Sequence, residues 1–91
     1  MKLKKEQNKI TLHLEDVEIG KITWNEESNI LYVMHTFVDP KYRGNDYARI
    51  LVDAVVEFAR SERKTIIPVC PYVVKVMNRY DKYSDILEKQ S

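Results

Sequence analysis

A chain of 91 residues is long enough for one hydrophobic core and too short for two, because compact domains run roughly 50 to 250 residues. With 44% hydrophobic and 32% charged residues, it holds enough apolar surface to offset chain entropy, yet no apolar run approaches the roughly 20 residues that cross a bilayer; disorder and membrane spanning are both excluded. Its 15 basic and 14 acidic side chains leave a net charge of +1, too little to concentrate nucleic acid or anionic lipid through a global field, so any anion must be bound locally.

A domain of this size buries only about 60% of its unfolded surface. A ligand or a second copy of the chain would add usefully to so thin a margin, and a homodimer stays open. Cys70 is the only cysteine, which rules out an intrachain disulfide and fits a reducing cytosol. Residues 1–9 are basic, but no apolar stretch of about 7 to 15 residues follows, so export is not expected and a cytoplasmic location is. One cysteine and two distant histidines lack the close ligand spacing of a zinc site, and no metal is expected.

Ile10, Leu12 and Leu14 alternate with Thr11, His13 and Glu15, the two-residue period of a half-buried strand over 9–15. Asp16-Val17-Glu18 offers a turn, and residues 19–24 resume the extended pattern until the polar cluster 25–29, which makes a hairpin. Residues 30–38 are almost continuously β-branched, aromatic or apolar, as expected of a central strand covered on both faces. Residues 39–45 then force a loop through Pro40 and Gly44. From 46 to 63 apolar residues recur at helical spacing, the clearest helix in the chain. Residues 65–70 read as an irregular strand that Pro68 confines to an edge or to a place where strands diverge. Pro71 opens a helix through about Tyr80, followed by a short amphipathic, helical C-terminal segment over 84–89. The order is that of a mixed α/β (α+β) domain over 1–91: a three-stranded antiparallel meander, then a β-loop-α-β crossover.

The strand-loop-helix junction carries the most information. Arg43 and Gly44 sit just before a helix whose first N–H groups have no intrahelical partner, so a phosphate fits there, with Lys41, Arg43 or Arg49 adding charge. The plain alternative is a glycine turn with Asn45 as N-cap and the Asp46 carboxylate already satisfying the helix dipole.

At this point the chain resembles the GNAT superfamily of acetyl-CoA-dependent N-acetyltransferases, within it a small single-domain branch with a truncated fold. Residues 35–52, HTFVDPKYRGNDYARILV, are similar to the strand, Q/R-x-x-G-x-G/A loop and helix of those enzymes. Val69-Cys70-Pro71-Tyr72-Val73 resembles the C-P-[YF]-V element of the small branch. Lys41 stands where the loop pattern has Gln or Arg, and Asp46 where it has Gly or Ala. Cys70 and Met77 stand where the family's last helix usually has Asn and Tyr. The resemblance implies a coenzyme A thioester as ligand, an unidentified amine as acceptor, and an acceptor side that is open or shared with a partner. Its pantetheine arm would lie along the strand ending at Val38, with the pyrophosphate on the amides of 43–48. The residues so assigned to the cofactor are Thr36, Phe37, Val38, Lys41, Arg43, Gly44, Asn45, Asp46, Tyr47, Ala48, Arg49, Cys70 and Tyr72.

For chemistry, Cys70 occupies the N-cap of the Pro71 helix, where the dipole favours a thiolate; it is a candidate base, nucleophile or proton donor, or else a small buried side chain. His35 is a candidate base in the strand before the loop, or a structural residue. Tyr72 and Tyr80 read as the packed face of a short helix, and Lys75, Arg79 and Lys82 as a solvated basic patch. An acetyltransferase leads the alternatives, ahead of a non-catalytic acyl-CoA-binding module and a cofactor-free interaction domain.

Overall fold

The alternating and helical periods produce a sheet with helices on one face. The computed structural model describes residues 1–88. It contains strands β1 (Lys2–Glu6), β2 (Lys9–Leu14), β3 (Val17–Glu27), β4 (Ile30–Val38) and β5 (Thr65–Pro68), with helices α1 (Tyr47–Ser61) and α2 (Pro71–Arg79). The sheet order is β1-β2-β3-β4-β5, antiparallel as far as β4, with β5 parallel to β4 across the α1 crossover. No helix among the described residues is long and apolar enough to cross a membrane.

The meander has one strand more than the sequence pattern indicates. All five residues of β1 are exposed, so no apolar alternation marks it; its ladder to β2 and the Lys5 ammonium, 4.5 Å from the centre of the Phe58 ring, hold it in place. β3 also runs further at both ends than expected. The turns are the pairs Glu15–Asp16 and Ser28–Asn29, all four with positive φ, as a two-residue hairpin turn of the right twist demands. Asn25, Glu26 and Glu27 are exposed, and polar residues on the solvated face of an antiparallel strand do not end it.

β4 is not covered on both faces. Leu31, Val33 and Val38 are buried whereas His35 and Phe37 are exposed, because both helices lie on the same side. The register shifts opposite Thr23 and Trp24, leaving Met34 as an extra residue between Val33 and His35. This bulge restarts the alternation, so Thr36, opposite the buried Ile22, shares the helix-covered side with Val38.

Leu51, Val52, Val55, Val56 and Ala59 of α1 are buried against β2 to β5, each large side chain stabilising by about 1.5–3 kcal/mol. Gly20 is needed for close approach: a Cβ there would lie 2.8 Å from the Phe37 carbonyl oxygen and 3.2 Å from Leu51 Cδ1. α2 packs on β4 and β5 with Val73, Val76 and Met77 buried. The expected helical tail over 84–89 is instead a 3-10 helix at Asp81–Tyr83, a turn over 84–86 and a single parallel bridge from Leu87 to Ile66; Lys89 lies outside the described residues. Ile66 donates to the Ile86 carbonyl at 2.8 Å and accepts from Glu88 N–H at 2.9 Å. The open edge of β5 captures the chain, since an exposed row of peptide groups is a template for pairing. Arg60 fastens this segment to α1 by a two-pronged contact with Asp85 at 2.8 and 3.0 Å and a bond to the Lys82 carbonyl at 2.7 Å.

Candidate functional site

β4 and β5 pair only over Ile30–Val33 and Thr65–Pro68. The Val33 carbonyl accepts from both Val69 and Cys70 N–H, at 2.9 and 3.0 Å, and there the two strands part. Pro68 has no donor to continue the ladder, and Pro71 begins α2, which peels the chain away. The segment Met34–Val38 therefore has no strand partner on its β5 side.

From Val38 the chain enters the loop. Asp39 Oδ1 accepts from Lys41 N–H at 2.9 Å to cap a 3-10 helix over Pro40–Tyr42, and Arg43 Nε donates back to the Val38 carbonyl at 3.0 Å. Gly44 has φ +89°, and a Cβ there would meet no atom within 4 Å. Asn45 does not cap α1; its amide donates to the Tyr42 carbonyl at 3.2 Å. The N-cap is Asp46, in the left-handed conformation at φ 60°, and its carboxylate makes no capping bond. Asp tolerates this conformation better than most residues, which accounts for its standing where the loop pattern has a small residue. The sequence-based alternative of a self-capped helix is thus corrected: the N–H groups of Tyr47, Ala48 and Arg49 have no partner among the described residues. With the helix dipole they form a patch of positive potential equivalent to about half a charge.

Tyr47 and Ala48 line a cleft of about 230 Å³ together with Val38, Tyr42, Arg43, Gly44, Asp46 and Tyr72. Two side-chain polar atoms are buried without a hydrogen-bond partner, Thr36 Oγ1 on β4 and Arg49 Nε on α1. Tyr72 also borders a second cleft, between α1 and α2. Burial pushes its hydroxyl pKa up, against the pull of Arg49 and with a smaller push from Asp46, so it stays a neutral donor.

The expected site residues do not all come together: Thr36, half-buried, and Phe37, exposed, line neither of the two clefts. Val38, Arg43, Gly44, Asp46, Tyr47, Ala48 and Tyr72 come together in the first cleft, and Arg49 reaches the second, its guanidinium 4.4 Å from the Tyr80 ring centre. Lys41 and Asn45 are exposed and line neither cleft. Cys70 is buried at the N-cap of α2, where β4 and β5 separate, and His35 is exposed on the sheet face away from the helices. Neither lines the two clefts. Tyr42, not expected at the site, packs edge-on to Tyr47 with ring centres 6.4 Å apart, and Lys75, Arg79 and Tyr80, expected as a solvated patch and a packed helix face, line the second cleft. The four-residue spacing of Lys75 and Arg79 puts them on one helix face. Lys82 belongs elsewhere, paired with Asp53 at 3.4 Å.

A family model described as GCN5-related N-acetyl-transferase matches residues 9–86. The chain belongs to this family. A GCN5-like protein of Staphylococcus aureus, solved by NMR, is 26% identical with a TM-score of 0.79, over 99% of this chain and 90% of that one. A ribosomal-protein-alanine N-acetyltransferase of Brucella melitensis superposes with a TM-score of 0.61 at 17% identity, over 91% of this chain and 62% of that one. An aminoglycoside N-acetyltransferase in complex with CoA gives 0.58 at 14%, over 91% and 74%. The last two share the fold. No curated protein sequence matches the chain.

As a GCN5-related chain, it offers residues that fit a coenzyme A thioester. Unpartnered helix amides, an open left-handed glycine and an orphaned Thr36 hydroxyl on a strand with a free edge supply donors for a diphosphate and an amide-bearing arm.

Proposed function

We propose that this protein transfers an acetyl group from acetyl-CoA to an amine. One observation carries the reading: the first-turn amides of α1 lack partners, and Tyr47 and Ala48 line a cleft shared with Val38, the last residue of the unpaired stretch of β4. The amides of Tyr47, Ala48 and Arg49 hold the diphosphate, with Gly44 allowing close backbone approach. The backbone of Thr36, Phe37 and Val38 pairs with the arm.

Acetyl-CoA supplies the acetyl as an activated thioester. The acceptor amine must be neutral when it attacks, so an arriving ammonium first gives up one proton; its nitrogen then bonds to the acetyl carbon as the carbon–sulfur bond breaks, and a second proton ends on the departing sulfur. Cys70, where the two strands part, moves that proton. His35, on the helix-free face, takes a proton from an amine arriving from that side. An amine acceptor accords with the alanine and aminoglycoside acceptors named for the two distant structural neighbours.

A thermal melt with acetyl-CoA tests binding. At 100 times its dissociation constant a ligand specific for the folded state adds about 2.7 kcal/mol, which raises Tm by roughly 10–20 °C in a domain of this size. No shift at millimolar ligand refutes the coenzyme reading. Turnover of mixed amines by wild type, Cys70→Ala and Cys70→Ser then tests the chemistry. The proposal expects both variants to bind normally and turn over at least tenfold more slowly. Unchanged turnover removes Cys70 from the mechanism, and binding without turnover in the wild type makes the protein a carrier or sensor of acyl-CoA.

A further inference from the structure

A further cleft, of about 300 Å³, lies where α2, the end of β5 and the C-terminal segment meet, lined by Pro68, Val74, Asn78, Leu87 and Glu88. Its position follows from the chain. Val74 N–H donates to the Cys70 carbonyl at 2.9 Å, so Val74, and Asn78 one turn beyond it, continue along α2 the row that Cys70 begins, at about 6 and 12 Å of axial rise. Val73, Val76 and Met77 are buried on the other face of α2, whereas Val74 is half-buried and Asn78 exposed. Pro68 is the residue at which the β4–β5 ladder ends. The cleft therefore starts about one helical turn from the place where the two strands part, and runs away from it along α2.

Pro68, Val74 and Leu87 give this cleft apolar walls, and Glu88 is the one ionisable side chain in its lining. The carboxylate is held in place from two sides. Glu88 N–H donates to the Ile66 carbonyl at 2.9 Å, and the Thr65 hydroxyl donates to Glu88 Oε1. A half-buried carboxylate beside apolar walls suits a cation on a methylene stem, because the ammonium pairs with the oxygens while the stem covers Val74 and Leu87. An anion is repelled there, and a neutral apolar ligand strips water from the carboxylate and offers nothing in return. One nitrogen cannot both stay at Glu88 and attack an acetyl group beside Cys70, so the cleft calls for a ligand with two. About four to six methylenes set two nitrogens apart by roughly one to two helical turns, which matches the run of the cleft.

We infer that this cleft selects the acceptor, a short α,ω-diamine: one end is held as an ammonium by Glu88, the stem lies along Val74 and Leu87, and the other end reaches the acetyl carbon beside Cys70 as a neutral amine. This rests on the acetyl-transfer reading above. The held charge favours loss of a proton from the reacting end, since a like charge nearby disfavours a second ammonium. The reacting nitrogen then bonds to the acetyl carbon, the carbon–sulfur bond breaks, and the proton shed by that nitrogen goes to the sulfur. Glu88 stays ionised throughout and is a binding residue. A monoamine of the same length has no end to place against it.

Acetylation of 1,5-diaminopentane and of pentylamine at saturating acetyl-CoA, by the wild type, Glu88→Gln and Asn78→Lys, tests it, together with a nitrogen–proton NMR titration of the labelled protein with the diamine alone. The wild type shows a kcat/KM roughly tenfold or more higher for the diamine, with the difference in KM, and the preference shrinks as salt rises. Glu88→Gln keeps an oxygen for the Thr65 hydroxyl and brings the two amines within about twofold of each other. Asn78→Lys sets an ammonium of the protein's own in the cleft and does the same without touching the strand anchor, so it decides the matter should Glu88→Gln melt more than a few degrees lower. In the titration, saturating shifts fall at Val74, Asn78, Leu87 and Glu88 in the wild type and vanish in the variants. Equal kcat/KM for the two amines in the wild type, or diamine shifts confined to other residues, overturns the inference and leaves the acetyl-transfer reading standing. So does acetylation of other amines with neither of these two acetylated. No acetylation of any amine overturns both.

Discussion

Gly44→Val separates the demands of the loop from those of the core. At φ +89° with no atom within 4 Å of a Cβ, the new side chain meets no steric wall, so its effect on the free protein is backbone strain alone. Forcing an L-residue into the left-handed region costs about 1–2 kcal/mol, and at roughly 4–8 °C per kcal/mol for a domain this small, Tm falls by about 4–16 °C. The effect on binding is larger. The loop either keeps its path with an isopropyl group where the anion must approach, or relaxes to negative φ and turns its peptide groups away. Losing two charge-assisted hydrogen bonds at about 1.5–3 kcal/mol each weakens acetyl-CoA binding by roughly 100-fold or more. Calorimetric titration at fixed ionic strength measures the affinity, and a scan of the same sample gives Tm. An affinity within threefold of wild type, with the expected drop in Tm, refutes the close backbone approach at Gly44.

Gly20→Ala does the opposite: its Cβ, 2.8 Å from a carbonyl oxygen and 3.2 Å from Leu51, overpacks the β3–β4–α1 junction and destabilises by about 1–3 kcal/mol, and a Tm within a degree of wild type contradicts that packing. Tyr83→Phe removes the bond from a buried hydroxyl to Asp53 at 2.5 Å and lowers stability by about 1.5–3 kcal/mol in chemical denaturation; an unchanged midpoint refutes it. The Asp85 carboxyl is held below its ordinary pKa by its hydrogen bonds to Arg60. A depressed folded-state pKa contributes stability that is present above the unfolded value and lost as pH falls through the folded one. Melting curves therefore converge for wild type and Asp85→Asn below about pH 4 and separate above it, and parallel curves across that window contradict the role given to this contact.

Much of this architecture was legible because the strongest signals are periodic. The α1 stripe, the Ile10–Leu12–Leu14 alternation and the Pro40–Gly44 break each follow from one local rule and appear within a residue or two of their expected bounds. β1 was hidden because its side chains are all exposed and its support is a backbone ladder. The excess coverage expected for β4 came from reading continuous apolar character as burial on both sides, when a bulge at Met34 supplies it by rephasing one strand. The C-terminal stretch turns back and bridges at Leu87 because β5 offers it an edge, a tertiary fact that no local pattern encodes. At the site, the junction and its glycine were legible from spacing. That Asn45 and Asp46 leave the helix amides free was not, since both residue types are good caps in general, and the backbone conformation decides. Nor was the convergence of Arg49 with Lys75 and Arg79, which lie on different helices.

The central claim is that the free amides at the start of α1 grip a diphosphate. A nitrogen–proton NMR titration of the labelled protein with acetyl-CoA tests it most directly. The account predicts the largest saturating shifts at Gly44, Tyr47, Ala48 and Arg49. Saturating shifts confined to residues outside the loop and the first turn of α1, or no shifts at millimolar ligand, contradict it.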